Sequence, residues 1–227
     1  MYRRLLTAAL LAMALSACGG SGGSGGGGSV TSTGFTAPET SSPPVETPAT
    51  GATPWPAPAD PMGLSQRAGL AGEAAESLQY HVHSHLDVFL NGTRVEVPAG
   101  IGIDTTNPSV GSFTLDSGQT GWGLKSECTT PCISPLHTHD PTGIIHTESS
   151  NPKPHVLGQF FTQWDVKLDA SCVGGYCRPA ATISYYVDGI PSTGDPTQIE
   201  LADGREIAIV IGSPPEIIPS TFDTSTA

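Results

Sequence analysis

His81-Val82-His83-Ser84-His85-Leu86-Asp87-Val88-Phe89-Leu90, followed by Asn91-Gly92, is the stretch from which the fold is read. Its even positions Val82, Leu86, Val88 and Leu90 are apolar, whereas His81, His83, His85 and Asp87 occupy odd positions. Alternation of period two predicts a strand with one apolar face and one histidine face. Asn-Gly supplies the two positive-φ residues of a tight hairpin turn, and residues 93–98 supply its return strand.

A second hairpin is predicted downstream. Residues 136–139 and 144–148 flank Asp140-Pro141-Thr142-Gly143, which has proline at the second turn position and glycine at the fourth. With those four residues in the turn, His139 faces Ile144 and His137 faces His146, so three histidines share a face. Upstream, Leu64, Ala68, Ala71, Ala75 and Leu78 are spaced by three or four, which predicts an amphipathic helix over 64–79, weakened by Gly69 and Gly72. Leu157–Trp164 reads as a short helix presenting Phe160, Phe161 and Trp164 to a core. Residues 183–187 and 205–211 read as strands, with a turn at Asp188-Gly189. The expected class is α+β and strand-rich, a β-grasp-like plan with the second histidine hairpin inserted.

All seven histidines lie between 81 and 155, and six fall into two groups: His81, His83, His85 and His137, His139, His146. A mononuclear zinc or copper site needs three or four donors converging on one point. Strand residues two apart point the same way and can grip one ion, to which a facing strand adds a further donor. The two hairpins are therefore expected to face each other across a cleft. His83, His85, His137 and His139 are the preferred ligands, with His81 and His146 next, around one ion rather than two. The surplus donors would act through carboxylates such as Asp87, Asp140 or Glu148. An imidazole-rich set poor in methionine and free cysteine points to Zn²⁺ or Cu²⁺. His155, standing alone after Pro154, is read as an ordinary histidine.

The N-terminus carries its own pattern. Arg3 and Arg4 precede an apolar run over 5–15, too short to span a bilayer, and Leu15-Ser16-Ala17-Cys18 follows. This is the pattern of a lipoprotein signal over 1–17 with Cys18 acylated. Residues 18–61 are rich in Gly, Ser, Thr, Pro and Ala, a composition expected to form a disordered tether with a span of roughly 40 Å. Trp55 and Phe35 are its bulky exceptions, either of which can dock on the domain. Residues 62–215 suit one globular domain and 216–227 a flexible tail. The net charge of −12 and only nine Lys and Arg exclude a nucleic-acid partner and favour cations. No protein partner is indicated.

Cys128 with Cys132 and Cys172 with Cys177 form two closely spaced pairs, read as local disulfides of an oxidising compartment. Of three possible connectivities this is the simplest. In the competing reading Cys132, five residues before His137, is a metal thiolate.

The runs HVHSHLDVFLNG, VPAGIGI, LHTHDPTGIIHTES, LGQFF, YYVDG and REIAIVIG resemble an uncharacterised family of secreted or membrane-anchored bacterial and archaeal proteins. The likeness covers about 81–211 and none of the tether. The two histidine runs are the hallmark of that group and correspond here to His81, His83, His85, His137, His139 and His146, with a cysteine matched by Cys132. The resemblance implies a metal site and carries no activity with it.

Three functions fit these features: an envelope lipoprotein that captures, buffers or delivers Zn²⁺ or Cu²⁺, a metal-dependent enzyme, or an envelope interaction module with a structural metal. In the enzyme, Asp140 or Glu148 would be the general base. No Ser-His-Asp pattern, phosphate loop or HExxH helix supports other chemistry. For any of the three, proton competition at imidazole predicts that metal affinity falls between about pH 7 and 5.

Overall fold

In a computed structural model of the chain, residues 54–150 and 152–223 are described. The expected signal peptide, Cys18, Phe35 and all but the end of the tether lie outside the described residues. The elements in order are α1 (Pro61–Arg67), β1 (Tyr80–Leu90), β2 (Thr93–Val95), β3 (Val110–Thr114), β4 (Thr120–Leu124), β5 (Leu136–His137) and β6 (Ile144–Ser149). They continue as α2 (Leu157–Trp164), β7 (Cys172–Val173), β8 (Tyr176–Cys177), β9 (Ile183–Val187), β10 (Ile190–Ser192) and β11 (Arg205–Ile211).

The main sheet runs β10-β9-β11-β1-β6-β5, with β2 also on β1. β1 and β11 are parallel, and the other neighbours are antiparallel. This is a strand-rich α+β fold. Parallel pairing of β1 with the last strand, and α2 across one face, fit a β-grasp-like plan in which β5 and β6 are the insertion.

β1 is long enough to serve two partners along one edge. Val88 to Leu90 pair with β2 through the Asn91-Gly92 turn, where both residues have positive φ (50° and 81°). Tyr80 to His85 pair instead with β6. The two histidine rows are therefore neighbours in one sheet and do not face each other across a cleft, because β6 satisfies the backbone groups that the short β2 leaves open.

The alternation in β1 sorts the two faces as the sequence implies. Leu86, Val88 and Leu90 join Ile207, Ile209 and Ile211 of β11 in a core closed by Phe160, Phe161 and Trp164 of α2. Each such buried side chain contributes about 1.5–3 kcal/mol. The opposite face carries the histidines at one end and, at the other, Phe89 with Ala208 and Val210.

Two stretches differ from expectation, and the docking of Trp55 follows it. The helix predicted over 64–79 stops at Arg67, because Gly69 (φ 73°) takes the left-handed conformation. Gly69 N–H bonds Gln66 O and Leu70 N–H bonds Ser65 O, a Schellman ending that turns buried Leu70 into the core. Residues 216–223, expected to hang free, pack back on the polar-to-apolar face: Ile218 covers Phe89, Ala208 and Val210, and Phe222 stacks on His85 with centroids 5.1 Å apart. At the other terminus Trp55 meets Trp164 edge to face at 5.8 Å, and its carbonyl accepts the Trp164 indole N–H. Apolar surface exposed on the domain recruits both segments.

Cys128–Cys132 and Cys172–Cys177 are disulfides. Cys132 is thereby removed from the ligand candidates. Its residue leads into Ile133, which bridges to both Glu73 and Ile103, so the bond pins the chain just ahead of β5.

Candidate metal centre

β1, β5 and β6 lie side by side, so cross-strand pairing sets the first five donors. His83 is opposite His146, His137 is opposite His146 from the other edge, and His81 is opposite Glu148. Directly paired residues share a face, which places three histidines and a carboxylate around the ring of His146. His83 lies 4.5 Å from that ring, His137 5.4 Å and His81 5.9 Å, centroid to centroid.

His139 arrives by a different route. It does not pair with Ile144, because the β5–β6 ladder ends at His137 and Ile144 pairs with His85 of β1. His139 is held by β4: Trp122 N–H donates to His139 O and the His139 ring donates from Nδ1 to Trp122 O, both at 2.7 Å. Its ring still reaches within 4.6 Å of His146.

Donor atoms of His137, His139, His146 and Glu148 all lie within 4.8 Å of one another, as do those of His81, His83 and His146. The tautomers follow from the hydrogen bonds. His137 Nδ1 is 2.8 Å from Ser134 O and His139 Nδ1 is 2.7 Å from Trp122 O. Carbonyl oxygens cannot donate, so each Nδ1 carries its hydrogen, and in the neutral rings both Nε2 lone pairs are bare. Those two nitrogens stand 3.2 Å apart, which without a cation between them is repulsive. Two ligands of a tetrahedral ion with bonds of 2.0–2.1 Å are separated by about 3.3–3.4 Å. Fixing Nδ1 by a main-chain carbonyl is the usual way of orienting a metal-bound imidazole.

Burial reinforces the reading. His137 is pushed well below the ordinary imidazole range, first by desolvation and then by His139 and His146. Desolvation also lowers His146 and, with His146 and His81 beside it, takes His83 down to about 4. These rings are kept neutral, the form that binds metal. His146 Nδ1 and Glu148 Oε2 are buried without a hydrogen bond; Glu148 Oε1 lies 3.5 Å from His146 Nδ1, close enough for attraction but misaligned for a bond. Glu148 Oε1 also lies 3.1 Å from His81 Nε2 and 4.0 Å from His137 Nε2. Orphaned buried donors and acceptors cost about 1–3 kcal/mol each, a cost that a bound cation removes.

The cluster closes at His137 and opens at His81, whose side chain is 34% exposed. Glu76 stands at the rim, 3.9 Å from His139 Nε2. Burial and the nearby Glu148 raise the pKa of both Glu76 and Glu73.

His85, a preferred ligand from sequence, is not in this cluster. It shares the face, but its neighbours are Ile144 on β6 and Glu206 on β11. Nδ1 donates to Glu206 Oε2 at 2.8 Å and Nε2 donates to Thr142 O at 3.0 Å. Arg94 Nη2 also stands 3.3 Å from Nε2, and the donor atoms of His85, Asp87 and Glu206 lie within 4.8 Å of one another, a separate group that could hold an ion. Burial alone would lower the His85 pKa, but Glu206, Asp87 and the Thr142 carbonyl outweigh burial and raise it. Arg94 pairs with Asp87 beside it, so the four side chains balance in charge. Asp140 is occupied locally, accepting from Thr142 N–H at 2.9 Å in the turn. His155 is buried elsewhere, against Gln159.

Glu206, Glu76 and the carbonyls of Ser134 and Trp122 were not predicted. Glu206 carries a weak signal, as the acid that opens the apolar strand REIAIVI.

The fold and donor set together define a strand-rich α+β domain with clustered, largely buried histidines that can hold a metal ion. Comparison of the chain with protein-family models, curated proteins and solved structures found no match in any of the three.

Proposed function

We propose that the domain binds a divalent transition-metal ion, Zn²⁺ or Cu²⁺, through His81, His83, His137, His139 and His146 with Glu148, and that it captures, buffers or delivers that ion outside the cytoplasm. The observation that carries this reading is the pair of bare Nε2 atoms of His137 and His139, 3.2 Å apart with both Nδ1 hydrogens committed to carbonyls. Imidazole-rich donor sets suit these two metals. The two disulfides suggest an oxidising compartment, and a net charge of −12 draws cations to the surface. Acylation at Cys18, with residues 18–61 as the tether, belongs to the same reading and rests on the sequence pattern. So does membership of the uncharacterised envelope family that the histidine runs resemble. No helix among the described residues is long and apolar enough to cross a membrane.

The test is elemental analysis of the purified chain, with competitive Zn²⁺ and Cu²⁺ titration of the metal-free form. Bound Zn or Cu that is lost in His137→Ala and in His139→Ala supports the reading. Wild-type protein that retains neither metal after gel filtration contradicts it.

A metal-dependent hydrolase is the second reading, favoured by Glu148 standing among three imidazoles near a solvent-facing opening. It requires an exchangeable water on the bound metal; relaxation enhancement of solvent protons by Cu²⁺-loaded protein detects one, and its absence dismisses the hydrolase.

A further inference from the structure

The donors divide into two pairs of unlike character. His137 and His139 form an inner pair, with side chains 1% and 19% exposed and both rings oriented by carbonyls. His81 and His83 form an outer pair at the mouth, Nε2 to Nε2 at 2.8 Å. Between them stands His146, its ring 4.5 Å from His83 on one side and 4.6 Å from His139 on the other. Glu148 spans the same gap, with Oε1 3.1 Å from His81 Nε2 and 4.0 Å from His137 Nε2.

We propose that the cluster is a two-station path for divalent transition-metal ions, with His81 and His83 as the solvent-facing station, His137 and His139 as the closed one, and His146 with Glu148 shared between them. The proposal rests on the metal-binding reading above and adds the number of ions and their order.

Six donors exceed the four of one tetrahedral shell, and they separate into two groups with His146 in common, Glu148 of the inner group standing 3.1 Å from His81 Nε2 of the outer one. Each pair supplies two imidazoles converging on one point. His146, nine-tenths buried, has its Nδ1 3.5 Å from Glu148 Oε1, and Glu148 Oε2 is buried without a hydrogen bond. The two groups suit a position between the imidazole pairs in different ways: the Glu148 carboxylate has two oxygens with which to reach both ions, whereas the neutral His146 imidazole completes one shell or the other. A carboxylate is suited to that role because it can move from one ion to the other without leaving the site. An ion from solvent meets the exposed pair first, since the inner pair is covered by β4 through Trp122 and by the chain before β5.

The experiment uses the full chain, stripped with chelator and titrated with Zn²⁺ against a chromophoric competitor, then loaded with Cu²⁺ for electron paramagnetic resonance. The wild type takes two Zn²⁺ per chain, and loading with Cu²⁺ gives a half-field signal from coupled ions. The double variant His81→Ala/His83→Ala, altered at the mouth where folding is least at risk, takes one and loses that signal. His139→Ala, chosen over the more deeply buried His137, also takes one, with circular dichroism confirming its fold. Wild type saturating at one ion overturns the two-station path while leaving metal binding intact. Two ions retained in the His81/His83 double variant overturn the placement of the outer station. No binding at all overturns both this proposal and the reading on which it rests.

Discussion

His137 and His139 give the proposed metal binding its most local cause: a ring whose Nδ1 is tied to a carbonyl has only Nε2 left to offer, and these two nitrogens stand 3.2 Å apart. Replacing either with Ala should lower Zn²⁺ affinity by more than the roughly 10–100-fold that loss of an outer partner costs, measured by competition titration. An affinity unchanged in both variants would contradict the arrangement. Proton linkage follows from the same environment. His83, His137 and His146 are held below their ordinary value, so as the pH falls the unfolded chain takes up protons before the native one does. Stability of the metal-free protein is full above about pH 6.5 and falls as the pH drops toward about 4, the value to which His83 is lowered. His85 has the opposite sign. Its raised value makes its contribution full below about pH 6.5, to be lost as the pH rises through its native value. Among the histidines His155 is lowered as well, so four are lowered against one raised; the histidine contribution to the urea midpoint should decline from pH 7 to pH 5, and a midpoint that rises in the metal-free protein would contradict the burial described. At His83, His137 and His146 the same depression would move proton competition with a metal to a lower pH than for free imidazole.

At the scale of elements, the strand that carries three histidines is also the one with most partners. β1 was legible almost residue for residue, because alternation and the Asn-Gly turn are local signals. The pairing of His137 with His146 was legible from the turn between them. The fate of His85 was not, since it depends on Glu206, 121 residues away, arriving by parallel pairing of β11. Nor were the orienting carbonyls legible, as every residue has one. The placement of β5 depends on Gly102 (φ 74°), where a Cβ would stand 2.6 Å from Leu136 O and 3.2 Å from His137 Cβ. Gly102→Ala should therefore destabilise the fold by about 1–2 kcal/mol from backbone strain alone and weaken metal binding in the same variant. A Gly102→Ala protein with wild-type zinc affinity would show that β5 tolerates displacement. The Cys128–Cys132 bond closes a loop with a sequence separation of 4, for which loop entropy gives about 2 kcal/mol. Its removal by Cys128→Ser/Cys132→Ser should lower the urea-derived stability by about that amount, and an unchanged value would mean that Ile133 is held by its bridges alone.

Across the molecule, one sheet separates two environments. The α2 side is a continuous apolar core, and the other side grades from histidines through the His85, Asp87, Arg94 and Glu206 network to the apolar patch under Ile218. The fold class was legible from periodicity, whereas the docking of residues 216–223 was not, because a short segment beyond the last strand reads as tail until a surface for its Ile218 and Phe222 is known. The middle network is a charge-balanced set, so Arg94→Ala, which strands the nearly buried Asp87 carboxylate, should destabilise by about 1–3 kcal/mol without changing the metal content. X-ray absorption at the zinc edge of the loaded chain tests the central claim most directly. The expected result is a shell dominated by imidazole nitrogens at about 2.0–2.1 Å, with the multiple-scattering pattern of histidine rings, weakened in His137→Ala. A shell of oxygen alone, or one unaffected by that substitution, would contradict it.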